Sequence, residues 1–456
     1  MSNTRTISSG GRRLPVWAAN ATSFLISGCV LMTCLSCPSE TQGPLSQTRG
    51  GSKVVLFLTG NELGALRPCG CSGGQLGGIE KRPAVFDRVS PHRRMIVDTG
   101  NLSAGDGEQD LIKFGIFWEA FRLLKYDLVC LTSQDVVMAE RLGLASGPQQ
   151  GFGVVEDRDG AFQVFRKQFP DLGMTVNIAA FDSRTTPAED AADLFAGGPA
   201  NPTVNILILR SSNSGELRDL IAKSKGIDCI IFPSDADEPH ILSEAGATPL
   251  VITVGRLGRH IGRLQVAVPT KGARPVLEYA VIPVVADLPD DAALVQLYGR
   301  YQQLVSAANL LENYPRFPLP DDLAFTGSES CKTCHRYEYD QWSEKSHAAA
   351  LNSLKKVGSD RDPECVICHV IGMEYEGGYL SEEQTPHLKD VGCENCHGPG
   401  SEHIKSLGKT ATREPKMSCL ACHTAEKSTG YAGHEEEYMQ KIVHWREPAA
   451  AGNVKD

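Results

Sequence analysis

The chain has 456 residues, 41% hydrophobic and 22% charged, enough for two or three folded domains and unlike a disordered composition. A formal net charge of −10 argues against nucleic acid as a partner. Fifteen cysteines are present, so their spacing has to be read before any disulfide framework is considered.

At the N-terminus, Arg5, Arg12 and Arg13 precede a charge-free stretch from Leu14 to Ser39, the order expected of a secretory signal over residues 1–39. Within it, Ile26-Ser27-Gly28-Cys29 is similar to a bacterial lipobox, with Cys29 as the lipidated residue. The rival is an uncleaved anchor, since roughly 20 apolar residues span a bilayer, although Asn20, Thr22 and Ser23 dilute this one. Either would associate the protein with a membrane. Residues 40–52, rich in Gly, Ser, Thr and Gln, read as a flexible tether.

Residues 53–285 alternate short apolar, β-branched runs with helical stretches. Lys53–Thr59, Arg94–Asp98, Leu128–Thr132, Thr175–Ala180, Asn205–Leu209, Cys229–Phe232 and Leu250–Val254 read as buried strands. Leu111–Leu124 and Glu216–Ser224 have helical spacing, and Gly262–Val268 with Val276–Val285 suggests an antiparallel closing pair. This alternation predicts an α/β domain with largely parallel pairing.

The order of these pieces resembles the calcineurin-like metallophosphoesterases, in particular their periplasmic 5′-nucleotidase branch. The resemblance is carried by Leu58–Leu66, Leu76-Gly77-Gly78-Ile79, Ile96–Asn101, Tyr126–Leu131, Asp228–Ile231 and Val254–Arg259. It implies an α/β metallophosphatase-like sandwich. The family's metal-binding Asp and His fall on Asn61 and Leu63, and its second motif is only partly kept by Asp98 and Asn101. The third and fourth fall on Ser133-Gln134-Asp135 and Ser234–Asp237. A two-metal hydrolase needs closely spaced His and carboxylate ligands, so the expectation is a pseudoenzyme. His92, His240 and His260 are scattered and read as surface or structural residues. Cys69-Gly70-Cys71 has two readings: a disulfide, with each other or with Cys130 or Cys229, or a soft-metal or redox dithiol. Cys130 and Cys229 lie on apolar strands and read as buried.

Residues 286–320 join this domain to the next. Asp290 is the expected N-cap of a helix reaching about Asn313, with Leu294, Leu297, Tyr298, Tyr301, Leu304 and Ala308 on one face. Pro315–Pro320 reads as a stiff linker.

Residues 321–456 carry the chemistry. Cys-x-x-Cys-His occurs four times, as Cys331/Cys334/His335, Cys365/Cys368/His369, Cys393/Cys396/His397 and Cys419/Cys422/His423. This is the pattern of covalent c-type haem attachment: two thiols form thioethers and the adjacent His binds iron. Structural zinc also uses Cys-x-x-Cys pairs but does not require a His after each one. The expectation is therefore four covalent haem c groups, attached outside the cytoplasm, in an exported, periplasmic or membrane-anchored protein. Apolar side chains are sparse here, so folding should depend on haem attachment. His347 follows His335 by twelve residues, about 18 Å if helical, and should serve another haem; His403, after Gly398-Pro399-Gly400, is placed likewise.

This region resembles the cytochrome c-554 family of tetrahaem cytochromes. The resemblance rests on Cys331–His335 followed by Trp342 and Ser346-His347-Ala348, on Gly392–Gly400 with His403, and on Lys441–His444. It implies distal ligation by His347, His403 and His444, with one haem five-coordinate. His387 and His434 could fill or miss that place, and Met373, Met417 and Met439 read as packing residues. The fold expected is thus the α/β sandwich followed by a mainly α-helical multihaem cytochrome c domain. The function expected is electron transfer between redox partner proteins, with the first domain for docking and no catalytic residues of its own. The alternative is a haem enzyme acting on a small nitrogen compound at the five-coordinate haem.

Overall fold

The computed structural model describes residues 53–445 apart from 69–73, 145–150, 157–162, most of 182–202 and 211–225, 268–273, 321–322 and 414–418. The signal, lipobox and tether readings therefore lie outside the described residues, as do Cys69, Cys71, Met417 and most of Glu216–Ser224.

Two sheets form the region expected as the first domain, within one compact unit that spans Gly50–Asp456. The first has the order β11-β10-β1-β2-β3-β4, from β1 (Lys53–Thr59), β2 (Arg94–Asp98), β3 (Leu128–Leu131), β4 (Gly153–Glu156), β10 (His260–Ala267) and β11 (Val276–Pro283). β1 to β4 run parallel, and β10 and β11 close the edge in antiparallel fashion. The second has the order β5-β6-β7-β8-β9, from β5 (Val164–Phe169), β6 (Met174–Phe181), β7 (Thr203–Leu209), β8 (Cys229–Ile231) and β9 (Leu250–Ile252). All nine strands expected from the sequence form, with ends displaced by a few residues. β4 and β5 are additional; β4 is only four residues long, and β5 is an edge strand in which charged residues interrupt the apolar run.

The period of two along β1 divides its side chains between two cores. Val54, Leu56 and Leu58 face the second sheet, where they meet Val176, Ile178, Ile206 and Ile208. Val55 and Phe57 face the opposite layer, made by α1 (Glu108–Leu123), α2 (Ser133–Arg141) and α3 (Ala292–Ala307). Cys130 and Cys229 are free, fully buried thiols in the core between the sheets, so neither bridges to the Cys69 loop. Burial pushes the Cys130 thiol up to about 12.

α3 corrects the expected long helix. Its N-cap is Asp291, whose Oδ1 accepts from the Ala293 and Leu294 amides at 2.9 and 3.1 Å, while Asp290 instead pairs with Lys81 at 2.8 Å. The helix stops at Ala307, and Asn309 takes a left-handed φ of 51°. Val305 is buried where Leu304 was expected; Leu304 is 39% exposed. Pro315–Pro320 is not a free spacer either. The Phe317 amide donates to Glu374 O at 2.8 Å and Phe317 O accepts from the Glu376 amide at 2.8 Å.

The C-terminal region is built of short helices: α4 (Ser328–Cys331), α5 (Arg336–Ser343), α6 (Ala350–Val357), α7 (Pro363–Val366), α8 (Cys393–His397), α9 (Ser401–Lys405) and α10 (Glu435–Ile442). The run from His335 to His347 is therefore α5 and a turn, not one continuous helix. One small core holds the region together, from Leu311, Leu351, Leu354, Val366, Val370, Ile371, Met373, Tyr379 and Leu388. Among the described residues no helix is long and apolar enough to cross a membrane.

Candidate haem-binding site

The motif stretches of the first domain are occupied by the protein's own bonds. Asn61, Leu63 and Asn101 all have left-handed backbone, with φ of 50°, 49° and 65°. That conformation is costly for a bulky Leu. It is held because the Asn61 and Leu63 amides donate to Gly100 O and Asn101 O at 2.9 and 3.2 Å. Asn101 Nδ2 donates to Asn61 Oδ1 at 3.3 Å, so two neutral amides face each other. Asp135 accepts from the Asn101, Leu102 and Thr132 amides at 2.7–3.0 Å, and Gln134 donates to Gly105 O. Asp237 pairs with Arg259 at 2.8 Å. Behind them lies a buried network that the sequence reading missed: Arg82 donates to Glu62 at 2.6 Å and to Tyr126 at 3.1 Å, and Thr59 donates to Asp98 at 2.6 Å. Burial, with Glu62 nearby, pushes Asp98 up to about 7. Burial opposes the charge on Arg82, but Glu62 beside it holds the guanidinium above its ordinary pKa. Of the scattered histidines, His92 is exposed and His240 Nδ1 bonds Pro239 O at 2.8 Å. Burial lowers the pKa of His260.

In the C-terminal region, three Cys-x-x-Cys-His segments close a helical turn from the first Cys. His335 N and His423 N donate to the carbonyls of Cys331 and Cys419 at 2.9 and 2.8 Å, and the third forms α8. Positions i, i+3 and i+4 share one face of such a turn, so both thiols and the imidazole point the same way. In the 365–369 segment the turn is tighter: His369 N donates to Val366 O at 2.8 Å. None of the eight motif cysteines is in a disulfide. Cys331 lies against Cys393, and Cys422 lies against Cys368, which sets the first segment beside the third and the second beside the fourth.

The extra histidines come to the motif histidines from other parts of the chain. The ring centres of His335 and His403 are 6.0 Å apart, those of His423 and His347 are 6.4 Å apart, and those of His397 and His444 are 6.5 Å apart. Two imidazoles bound to opposite sides of one metal, at bonds of about 2 Å, have ring centres roughly 6 Å apart. The three pairs fit that spacing. His403 Nδ1 faces Thr410 O at 2.8 Å and His444 Nδ1 faces Ile442 O at 2.9 Å, which leaves Nε2 of each for a metal. Burial lowers the pKa of His347, His369, His397 and His423, keeping them in the neutral, ligating form. His369 is different. Its Nδ1 faces Ala350 O at 2.8 Å, and among the described residues no second histidine ring stacks on it. His434 caps α10 beside Glu437, His387 lies in the 386–388 turn, and Met439 is 40% exposed rather than packed.

Between the motifs, short polar residues fix the turns. Glu394 is buried and accepts from the Thr326, Gly327 and Gly400 amides at 2.8–3.0 Å. Asn395 Nδ2 donates to Val370 O at 2.7 Å, tying the third segment to the second. The x-x residues of the motif, generic in a spacing rule, carried the only sequence signal for these contacts.

Residues 330–398 match the family described as cytochrome c554 and c-prime. The matched stretch starts one residue before Cys331, ends one after His397, and so contains three of the four motifs. Among curated proteins, cytochrome c-554 of Nitrosomonas europaea is 32% identical over 155 residues, covering 26% of this chain. The chain spans 66% of the length of that relative. The family match falls within the C-terminal region that carries the Cys-x-x-Cys-His segments. For the remainder, solved structures with similarity include a 5′-nucleotidase precursor from Thermus thermophilus, with TM-score 0.42, 16% identity, and 67% and 68% of the two chains covered. The calcineurin-like phosphoesterase YfkN from Bacillus subtilis gives TM-score 0.40, 13% identity, and 56% and 98% coverage.

Proposed function

We propose that the chain is an exported tetrahaem electron carrier. The observation that carries this is the set of three histidine pairs at 6.0, 6.4 and 6.5 Å, each joining a motif His to a His from elsewhere in the chain. Cys331 and Cys334, Cys365 and Cys368, Cys393 and Cys396, and Cys419 and Cys422 would each hold one haem c. His335 with His403, His397 with His444, and His423 with His347 would hold three irons from both sides, and His369 would hold the fourth from one. Bound haem supplies one-electron chemistry, its potential set by axial ligands, burial and neighbouring charge. The protein's part is to orient His369, His403, His423 and His444 through Nδ1, and by burial to favour the neutral form of His347, His369, His397 and His423. Adjoining thiols at 331/393 and 368/422 support close contact between haems and hence electron exchange within the chain. Redox proteins are the partners, and export follows from where c-type attachment occurs and from the N-terminal segment.

Mass spectrometry of the mature chain should show four added haems, about 616 Da each on ordinary haem chemistry. EPR should show three low-spin centres and one high-spin centre. Three haems, bound zinc, or four low-spin signals would overturn the assignment. The lone His369 also favours a second reading, in which the fourth haem binds and converts a small nitrogen compound. Its high-spin signal should then shift when nitric oxide or hydroxylamine is added, and steady turnover should follow; binding without turnover leaves electron transfer as the function.

The first domain is read as a non-catalytic docking domain. The amide contact of Asn61 with Asn101 and the bonds already made by Asp135 and Asp237 support this. Nucleotide hydrolysis by the full chain with added manganese or zinc should stay at the level of the metal alone, and metal-dependent turnover would refute the reading.

A further inference from the structure

The first domain reaches the haem-attachment segments directly. Lys113 of α1 pairs with Glu364 at 2.5 Å, and Gln75 donates to Lys427 O at 3.1 Å. The most buried contact is at Asp362. This residue is the N-cap of α7, the helix that carries Cys365, and its Oδ1 accepts from the Glu364 amide at 3.0 Å. It is 6% exposed, and two of its remaining bonds come from the first domain and the helix packed on it: Gln109 Nε2 of α1 donates to Oδ1 at 2.8 Å and Tyr301 Oη of α3 donates to Oδ2 at 2.8 Å. No basic side chain forms an ion pair with it among the described residues. A buried carboxylate held by neutral donors keeps most of its field in its surroundings, because salt and water screen it little.

The geometry points to Asp362, gripped by Gln109 and Tyr301, as a positioning and tuning group through which the first domain sets the potential of the haem on Cys365 and Cys368. This rests on the haem assignment proposed above. Two effects act together. The bonds fix the start of α7 and so the thiol and imidazole that follow it, and the two donors draw charge off the carboxylate. Removing a donor leaves the negative charge less compensated and admits water, and both favour oxidised iron. Removing the charge favours reduced iron. Opposite signs are thus expected from two changes at one contact, which loosening alone would not produce.

The test is a redox titration of the full, haem-loaded chain, followed optically and by EPR. Tyr301→Phe should lower the midpoint of the high-spin centre and leave the three low-spin centres unmoved. Asp362→Asn, which can still accept the Glu364 amide through its carbonyl oxygen, should raise it. Gln109→Ala, a half-buried position whose loss is mild for folding, should lower it as Tyr301→Phe does. No movement, movement in the same direction for Asp362→Asn and Tyr301→Phe, or equal movement of all four centres would overturn the proposal. A peptide map showing no haem on Cys365 and Cys368 of the unaltered chain would instead sink the haem assignment itself, and the tuning role with it.

Discussion

Without attached haem, residues 389–445 should lose their fold while the first domain keeps its own. The first domain has two large cores, one on each face of its first sheet, and neither includes a residue beyond Leu310. The C-terminal region has the one cluster from Leu311 to Leu388. Past Leu388, Tyr431 is the only buried large apolar side chain among the described residues. Ile404, Leu407, Leu420, Met439 and Trp445 are instead 40% to 88% exposed, on the same short segments that carry His403, Cys419, Cys422 and His444. Helices as short as α8 and α9 do not hold in water alone, and a fully buried side chain of this size stabilises by only about 1.5–3 kcal/mol. Porphyrin faces must therefore supply the missing apolar surface, as metal ions do in small metallo-domains. Amide hydrogen exchange of the full chain, produced with and without haem attachment, measures this. Protection in 389–445 should fall to that of an unfolded segment in the haem-free chain, with β1 to β3 unchanged. Retained protection there would show that the protein core suffices.

The elements that were legible in the sequence are those fixed by local rules. Cys-x-x-Cys-His is readable because i, i+3 and i+4 share one face of a turn, and the buried strands are readable because apolar β-branched runs have few other uses. The choice between Asp290 and Asp291 as cap was not readable, since it depends on Lys81, more than two hundred residues away, taking one of them. Val305 displaced Leu304 from the core through a shift of one position, which alters the face of a helix by about 100°. The partner of each histidine was less legible still. His403 is six residues from His397 yet lies against His335; buried Glu394 accepts from both the Gly400 amide of the intervening turn and the Thr326 amide, tying that turn to the segment that leads into Cys331. Asp362 before Pro363 looks like any N-cap, and nothing near it in the chain announces Gln109 or Tyr301.

Replacing His403 by Met should leave four haems attached and change one of them. Cys331, Cys334 and His335 remain to bind that haem, so its mass should be retained. His403 is not needed to build a core: it lies on the short α9, its ring is inclined at 27° to that of His335, and its Nδ1 contact is to Thr410 O. A Met at this position has the reach to offer a thioether in place of imidazole. Sulfur ligation favours the reduced iron, so the midpoint of this one centre should rise, by part of the roughly 0.8 V that axial ligation spans. Its low-spin signal should change shape while those assigned to His397 with His444 and His423 with His347 stay as they were. His387→Ala and His434→Ala serve as controls, because neither ring faces a motif histidine, and both should leave all four midpoints in place. The measurement is again a redox titration with EPR on the loaded chain. An unchanged spectrum in the Met variant, with a new high-spin signal from His387→Ala or His434→Ala, would mean that the sixth ligands are other histidines than those the ring pairs indicate.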